Sequence, residues 1–259
     1  MHAKELKSQM IKGPLVVGGH VFLTDESISE LMALSGYDFV WIDAEHGAFD
    51  RKTILSHIIA ASSGGAASIV RVVDIDIAAV KPVLEMGPDG IIFPMVTSVE
   101  DAKRAIDFCR YPPKGTRGFG PRRAKQYGMK DTGSYLEEVD DSILKIIQIE
   151  HIDAVKQLDA ILAIEGLDAI VIGPNDLSGS IGKLSQLWDA EVLRLCDQII
   201  VKCKAKGIPV GISIGPNDPT YRDRWISQDI DFISIGDDIS FLTAGARQVL
   251  DSCHPASLR

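Results

Sequence analysis

The chain is short of cysteine, of basic charge and of long apolar runs. Its four cysteines, Cys109, Cys196, Cys203 and Cys253, are scattered at spacings unlike a zinc knuckle. That excludes a disulfide framework and a thiolate metal site, and it fits a reducing cytosol. A formal net charge of −9 and a sequence pI near 5.1 oppose nucleic acid or an anionic membrane as partner. No segment approaches the ~18 uninterrupted apolar residues of a membrane helix. The opening MHAKELKSQMIKGPLVVGG has too brief an apolar patch for a secretory leader and no cleavage pattern. A soluble, cytoplasmic protein is expected. Two further gaps concern chemistry. No strand-like run is followed by a glycine-rich dinucleotide fingerprint. No lysine stands at the end of such a run, where it could form a Schiff base: Lys145 falls before its strand and the others lie on helices or loops.

What is present is regular. Hydrophobic residues make up 46% and charged residues 24% of 259 positions, ample for a globular core. Eight short apolar runs recur: PLVVGGHVF, YDFVWIDA, ASIVRVV, DGIIFPMV, LKIIQIE, LDAIVIGP, IPVGISI and DFISIGDD. Between most of them lie stretches with helical spacing, such as DESISELMALSG, SVEDAKRAIDFCR, HIDAVKQLDAILAIEG and AEVLRLCDQIIVKCKAKG, several closing on glycine. Continuous apolar strands alternating with helices imply a parallel sheet covered by helices, and eight units imply a (β/α)8 barrel spanning residues 1–259 as one domain. Residues 111–135 read as a long irregular connection, either functional or mobile.

In such a barrel chemistry gathers at the C-terminal strand ends. Strand two ends in Asp43, Glu45 and His46, strand three carries Arg71, and strand five ends in Gln148 and Glu150. Strand six leads into Asn175, Asp176 and Ser178, strand seven contributes Ser213, and strand eight ends in Asp237 and Asp238. Glu150 and Asp176, from adjacent strands, form an oxygen-only pair suited to Mg²⁺ or Mn²⁺, with helix capping as the plainer alternative for Asp176. Arg71 between apolar neighbours requires a carboxylate partner, of the protein or of a substrate. His46 with Asp43 three residues earlier suits a carboxylate-oriented base, or a satisfied core histidine; Glu45 is the other acid that could orient it, or a third group of the metal site acting through water. Lys114, Arg117, Arg122, Arg123 and Lys125 form a basic cluster that could cover the mouth and attract an anion, or be a solvated loop or subunit contact.

Together, WIDAEHGAFD, SIVRV, IIFPMV, RYPPKGTRGFG, IIQIE and IEGLDAIVIGPNDLSGSIG give the chain a resemblance to the HpcH/HpaI aldolase family, from about Pro14 to Leu250. This family comprises metal-dependent class II pyruvate aldolases of the phosphoenolpyruvate/pyruvate barrel superfamily. The resemblance implies Glu150 and Asp176 as ligands of Mg²⁺ or Mn²⁺, with Co²⁺ or Zn²⁺ as further options. It implies Arg71 at the keto or enolate oxygen, Gln148 lining the pyruvate site, and Asp43 with His46 as an acid/base dyad. Asn175 and Ser213 join these as substrate-binding candidates. The implied reaction is reversible cleavage of a 4-hydroxy-2-oxo acid, such as 4-hydroxy-2-oxoheptanedioate or a 2-keto-3-deoxy sugar acid, into pyruvate and an aldehyde. Where the family commonly has an aspartate reaching into a neighbouring subunit's site, VLEMG places Glu85, a further substrate-binding candidate. A homohexamer, as a trimer of dimers with the last helix exchanged, is also implied. The rival readings are an acyl-CoA lyase like the citrate lyase β branch and a non-catalytic barrel that binds a 2-oxo acid.

Overall fold

The computed structural model describes residues 2–215 and 218–253. Its strands are β1 (Val16–Val21), β2 (Phe39–Asp43), β3 (Ala67–Arg71), β4 (Gly90–Phe93), β5 (Leu144–Ile149), β6 (Ala169–Ile172), β7 (Val210–Ile214) and β8 (Phe232–Asp237). All eight pair in parallel and in sequence order, and β8 returns to β1 to close the barrel.

The first helices are α1 (Ala3–Lys12), α2 (Ser27–Leu34), α3 (Arg51–Gly64), α4 (Ile77–Met86), α5 (Val99–Cys109) and α6 (Thr132–Glu138). They continue as α7 (Ile152–Lys156), α8 (Leu158–Ile161), α9 (Pro174–Ser180), α10 (Ala190–Lys206), α11 (Pro219–Ile226) and α12 (Asp238–Cys253). Local chemistry sets many of their ends. Asp50, Asp76, Ser98 and Asp189 accept backbone N–H groups in the first turns of α3, α4, α5 and α10, while Gly65, Gly87 and Gly207 take left-handed backbone after α3, α4 and α10.

The period of two along each strand explains both the core and the site. Inward positions are apolar at the N-terminal end: Val16, Phe39, Ala67, Leu144, Ala169 and Phe232, followed by Trp41, Ile69, Ile92, Ile146 and Val171, form one interior cluster. Helix α1 plugs that end with Ala3, Leu6 and Met10. Gly18 and Gly211 make room in this layer, because a Cβ would come within 2.2 Å of the Phe39 ring and 2.4 Å of the Phe232 ring. The opposite strand faces, with Val40, Ile42, Val70, Ile91, Ile147, Ile170, Ile212 and Ile233, pack on the helices.

A fourfold device ties the strands at their N-terminal ends. Asp38, Asp89, Asp168 and Asp231, immediately before β2, β4, β6 and β8, each accept a side-chain hydrogen bond from the backbone N–H of Val17, Ser68, Lys145 or Val210 at 2.8–2.9 Å. Each also donates its own N–H to the carbonyl of that same residue at 2.8–3.0 Å. A one-residue slip would break both bonds, so the motif holds the register that assigns side chains to inside or outside.

Three sequence expectations change. Lys145 lies inside β5, near its N-terminal end, where it pairs with Asp168 at 2.7 Å and is remote from the mouth. HIDAVKQLDAILAIEG forms two short helices, α7 and α8, parted at Gln157, whose backbone leaves the helical region. The 111–135 segment contains a 3-10 turn at Arg123–Gly128 and the start of α6.

Candidate active site

At the C-terminal end the inward stripe turns polar: the next inward positions after Trp41, Ile69 and Ile146 are Asp43, Arg71 and Gln148, with Glu150 two further on. His20, Arg71, Gln148, Asp176, Asn175 and Ser213 help to line a cavity of about 170 Å³ at this mouth, with Phe22, His46, Gly173 and Asp237 at its sides. The sequence therefore predicts most of this ring. It misses His20, the inward residue near the end of β1, which the same test of strand ends would have found.

Arg71 is buried and paired with two acids, with N–H donors to spare. Its Nε donates to Asp43 Oδ1 at 3.3 Å, Nη2 donates to Asp43 Oδ2, and Nη1 lies 3.0 Å from Glu45 Oε2. The guanidinium also lies 5.4 Å from the Trp41 ring centroid. Asp43 thus orients the arginine, and it accepts the backbone N–H groups of Glu45 and His46 at 3.2 and 3.0 Å. The expected side-chain dyad of Asp43 with His46 is not formed. The imidazole is 62% exposed at the cavity edge, and its nearest acid is Glu45, with Nε2 3.9 Å from Oε2. Geometry explains the difference: Asp43 points inward on β2, whereas His46 lies three residues later, beyond the strand.

Glu150 lies against the cavity lining. Its Oε1 accepts the Met95 N–H at 2.7 Å and its Oε2 accepts from Gln148 Nε2. Burial, followed by the charges of Asp176 and Glu45, pushes its carboxyl up to about 7 against the opposing help of the Met95 amide and Arg71. Glu45 is likewise raised, first by burial. Asp176 is inside the first turn of α9, whose N-cap is Gly173, so the capping alternative does not describe it.

These residues suit a divalent cation. The charges of Asp176 and Glu45 beside the buried Glu150 leave a surplus of negative charge, which a cation relieves. Gln148 Oε1 is buried with no hydrogen-bond partner among the described residues. Among the described residues no group of three or more His, Cys, Asp or Glu side chains is placed to hold a metal ion; Glu150 and Asp176 as a pair would leave positions for water and substrate, as Mg²⁺ usually does.

Two candidates lie elsewhere. Glu85, near the C-terminal end of α4, faces Arg117 at 3.5 Å and is not part of its own chain's cavity. The basic loop does not cover this mouth either. Arg117 donates to the carbonyl of Leu84, and Arg123 donates to those of Met86 and Gly87, so both satisfy the end of α4.

A family model for HpcH/HpaI aldolase/citrate lyase matches residues 18–238. The chain belongs to this family. It is 30% identical over 243 residues to a hydroxypyruvate/pyruvate aldolase of Pseudomonas aeruginosa, covering 94% of this chain and 90% of that one. It is 31% identical over 248 residues to a 2-keto-3-deoxy-L-rhamnonate aldolase of Salmonella dublin, covering 95% and 90%. The crystal structure of an HpcH/HpaI aldolase from Desulfitobacterium hafniense superposes with a TM-score of 0.89 at 26% identity over 96% of each chain.

Proposed function

We propose that the protein is a divalent-metal-dependent pyruvate aldolase, an aldehyde-lyase that reversibly cleaves a 4-hydroxy-2-oxo acid into pyruvate and an aldehyde. The observation that carries this reading is the buried guanidinium of Arg71, held by Asp43 and Glu45 beside the Glu150 and Asp176 carboxylates. A carbanion next to a carbonyl forms near neutral pH only where charge on the oxygen is stabilised, and a fixed cation in a partly dry cavity does this without reorganising. A cation such as Mg²⁺ or Mn²⁺ held by Glu150 and Asp176 would supply Lewis-acid polarisation of the 2-oxo group.

The chain's own groups have distinct tasks. Arg71 binds the keto oxygen and stabilises its developing charge. Asp43 keeps the guanidinium fork in plane. Gln148 and Asn175 line the 2-oxo acid pocket. His46, open to the cavity edge, accepts the proton of the C4 hydroxyl as the C3–C4 bond breaks and the aldehyde leaves. A proton delivered to C3 then gives pyruvate. The two aldolase relatives support 2-keto-3-deoxy sugar acids and hydroxypyruvate or pyruvate as the substrate range to screen.

The protein acts as one domain and as a homo-oligomer, a trimer of dimers. In support, Leu242, Val249 and Leu250 of α12 are exposed on the chain alone, which suits a last helix exchanged with a partner. In that assembly Glu85 would serve a neighbouring site. A cytoplasmic location fits the buried free thiols of Cys109, Cys196 and Cys203.

Exchange of pyruvate methyl protons in D₂O, followed by NMR, tests the reading without knowledge of the aldehyde. Exchange that needs Mg²⁺ or Mn²⁺ and stops with EDTA is expected. Its absence with either metal would remove the proposal.

A further inference from the structure

His20 occupies the mouth without any task in the reaction described above. It is 6% exposed, on β1, with its ring 4.6 Å from Trp41 and stacked at 5.9 Å on Phe22. Nε2 is 3.1 Å from Ser213 Oγ, on β7, and Nδ1 is 3.2 Å from Ser234 Oγ, on β8. A row of Ser234, His20 and Ser213 thus runs from the barrel interior to the cavity.

Donor accounting sets the direction of this row. A neutral imidazole has one N–H and one acceptor nitrogen. Burial lowers the His20 pKa to about 4, and the Arg71 charge adds to that, while Asp43, Asp237 and the Gly236 backbone oppose it. The ring is neutral wherever the enzyme would work. Ser234 Oγ is fully buried, and His20 is its hydrogen-bond partner among the described residues. If Nδ1 carried the proton, the Ser234 hydroxyl proton would be buried without an acceptor, which is costly. With the proton on Nε2, Ser234 donates to Nδ1 and Nε2–H donates to Ser213 Oγ. The Ser213 hydroxyl proton is then left to point into the cavity.

We infer that His20 is a positioning residue that fixes Ser213 as a hydrogen-bond donor to an oxygen of the bound 2-oxo acid. The chemistry matches: pyruvate offers three acceptor oxygens and no donor, so a serine held as an acceptor would be wasted on it. The substrate class rests on the aldolase reading above, whereas the order of hydrogen bonds does not.

Two measurements test the inference. The first is the ¹⁵N signature of the His20 ring in wild-type protein, assigned by its loss in His20→Gln. A protonated Nε2 and bare Nδ1 between pH 6 and 8 are expected, and a protonated Nδ1 overturns the inference whether or not the protein is an aldolase. The second is the pyruvate concentration that half-saturates methyl-proton exchange with Mn²⁺. Ser213→Ala and His20→Phe should each raise it about tenfold, and the double variant should be no worse than either, because both remove one coupled bond. His20→Gln, which keeps an N–H for Ser213, should stay within about threefold of wild type. If His20 only filled space, phenylalanine would be tolerated better than glutamine, and that ranking overturns the inference. Wild-type protein without exchange would remove the aldolase reading, leaving the ring signature to decide the hydrogen-bond order.

Discussion

Gly173 stands where any side chain would strike Glu150: an added Cβ would come within 2.6 Å of Oε2 and within 2.7 Å of Gln148 Nε2. Its φ of −104° is ordinary for any residue, so space, not backbone conformation, requires glycine here. Gly173→Ala should push the Glu150 carboxylate off its position. Mn²⁺ affinity by calorimetry should fall at least about tenfold, as when groups that orient a ligand are changed. Urea unfolding should show a loss of about 1–3 kcal/mol from overpacking. Unchanged Mn²⁺ affinity would separate Gly173 from the metal site.

The raised carboxyl of Glu150 predicts an unusual pH dependence in the metal-free protein. The folded chain keeps this proton up to about pH 7, whereas an ordinary glutamate releases it near 4.5. Between those values the folded state binds more protons than the unfolded state, so stability falls as pH rises. For this buried group the fall totals about 3 kcal/mol, and Glu45, also raised, contributes in the same direction. With EDTA present, wild-type stability should decline from pH 4.5 to 7 relative to Glu150→Gln. Parallel curves for the two proteins would contradict the assignment. Mn²⁺ binding below pH 7 should release a proton, visible as a buffer-dependent heat.

Arg71 makes contacts to Asp43 and Glu45 that one ammonium cannot reproduce. Arg71→Lys should keep the fold and slow pyruvate exchange about 10²- to 10³-fold, the scale for losing one fixed donor to an oxyanion. Arg71→Ala should abolish exchange and also cost about 3–5 kcal/mol, because the Asp43 carboxylate would stay buried without its cation. Near-normal exchange in the lysine variant would mean that charge alone matters.

Much of this was readable in the sequence because the period of two does two jobs. Phe39, Trp41 and Asp43 lie on one face, as do Ala67, Ile69 and Arg71, so a strand that buries its first inward residues must present the last one at the mouth. The barrel, Arg71, Gln148 and the acids follow from that pattern. What failed depends on where side chains turn beyond the strand. Asp43 and His46 are close in sequence, but the closer match for an inward carboxylate is the guanidinium on the next strand. Glu85 and the basic loop could be placed only once α4 was seen to end far from the mouth. The four aspartates at the N-terminal strand ends were visible as YDF, PDG, LDA and IDF, yet their shared task depends on pairing with the preceding strand.

His46 separates binding from proton transfer more cleanly than its neighbours do. Its side chain is largely exposed, and among the described residues the imidazole has no hydrogen bond to Asp43, which takes the His46 backbone N–H instead, so removing the ring leaves no buried group unpaired. His46→Ala should therefore unfold at the same urea concentration as wild type, within about 0.5 kcal/mol. The pyruvate concentration for half-saturation should change no more than about threefold, since Arg71 and Gln148 remain. Cleavage of a 4-hydroxy-2-oxo acid should slow about 10²- to 10⁴-fold, the range lost with a general base. Such a fall in turnover with binding intact marks an interaction made in the transition state. An equal loss in both quantities would instead make His46 a binding residue, and Glu45, 3.9 Å away, would become the base to test next.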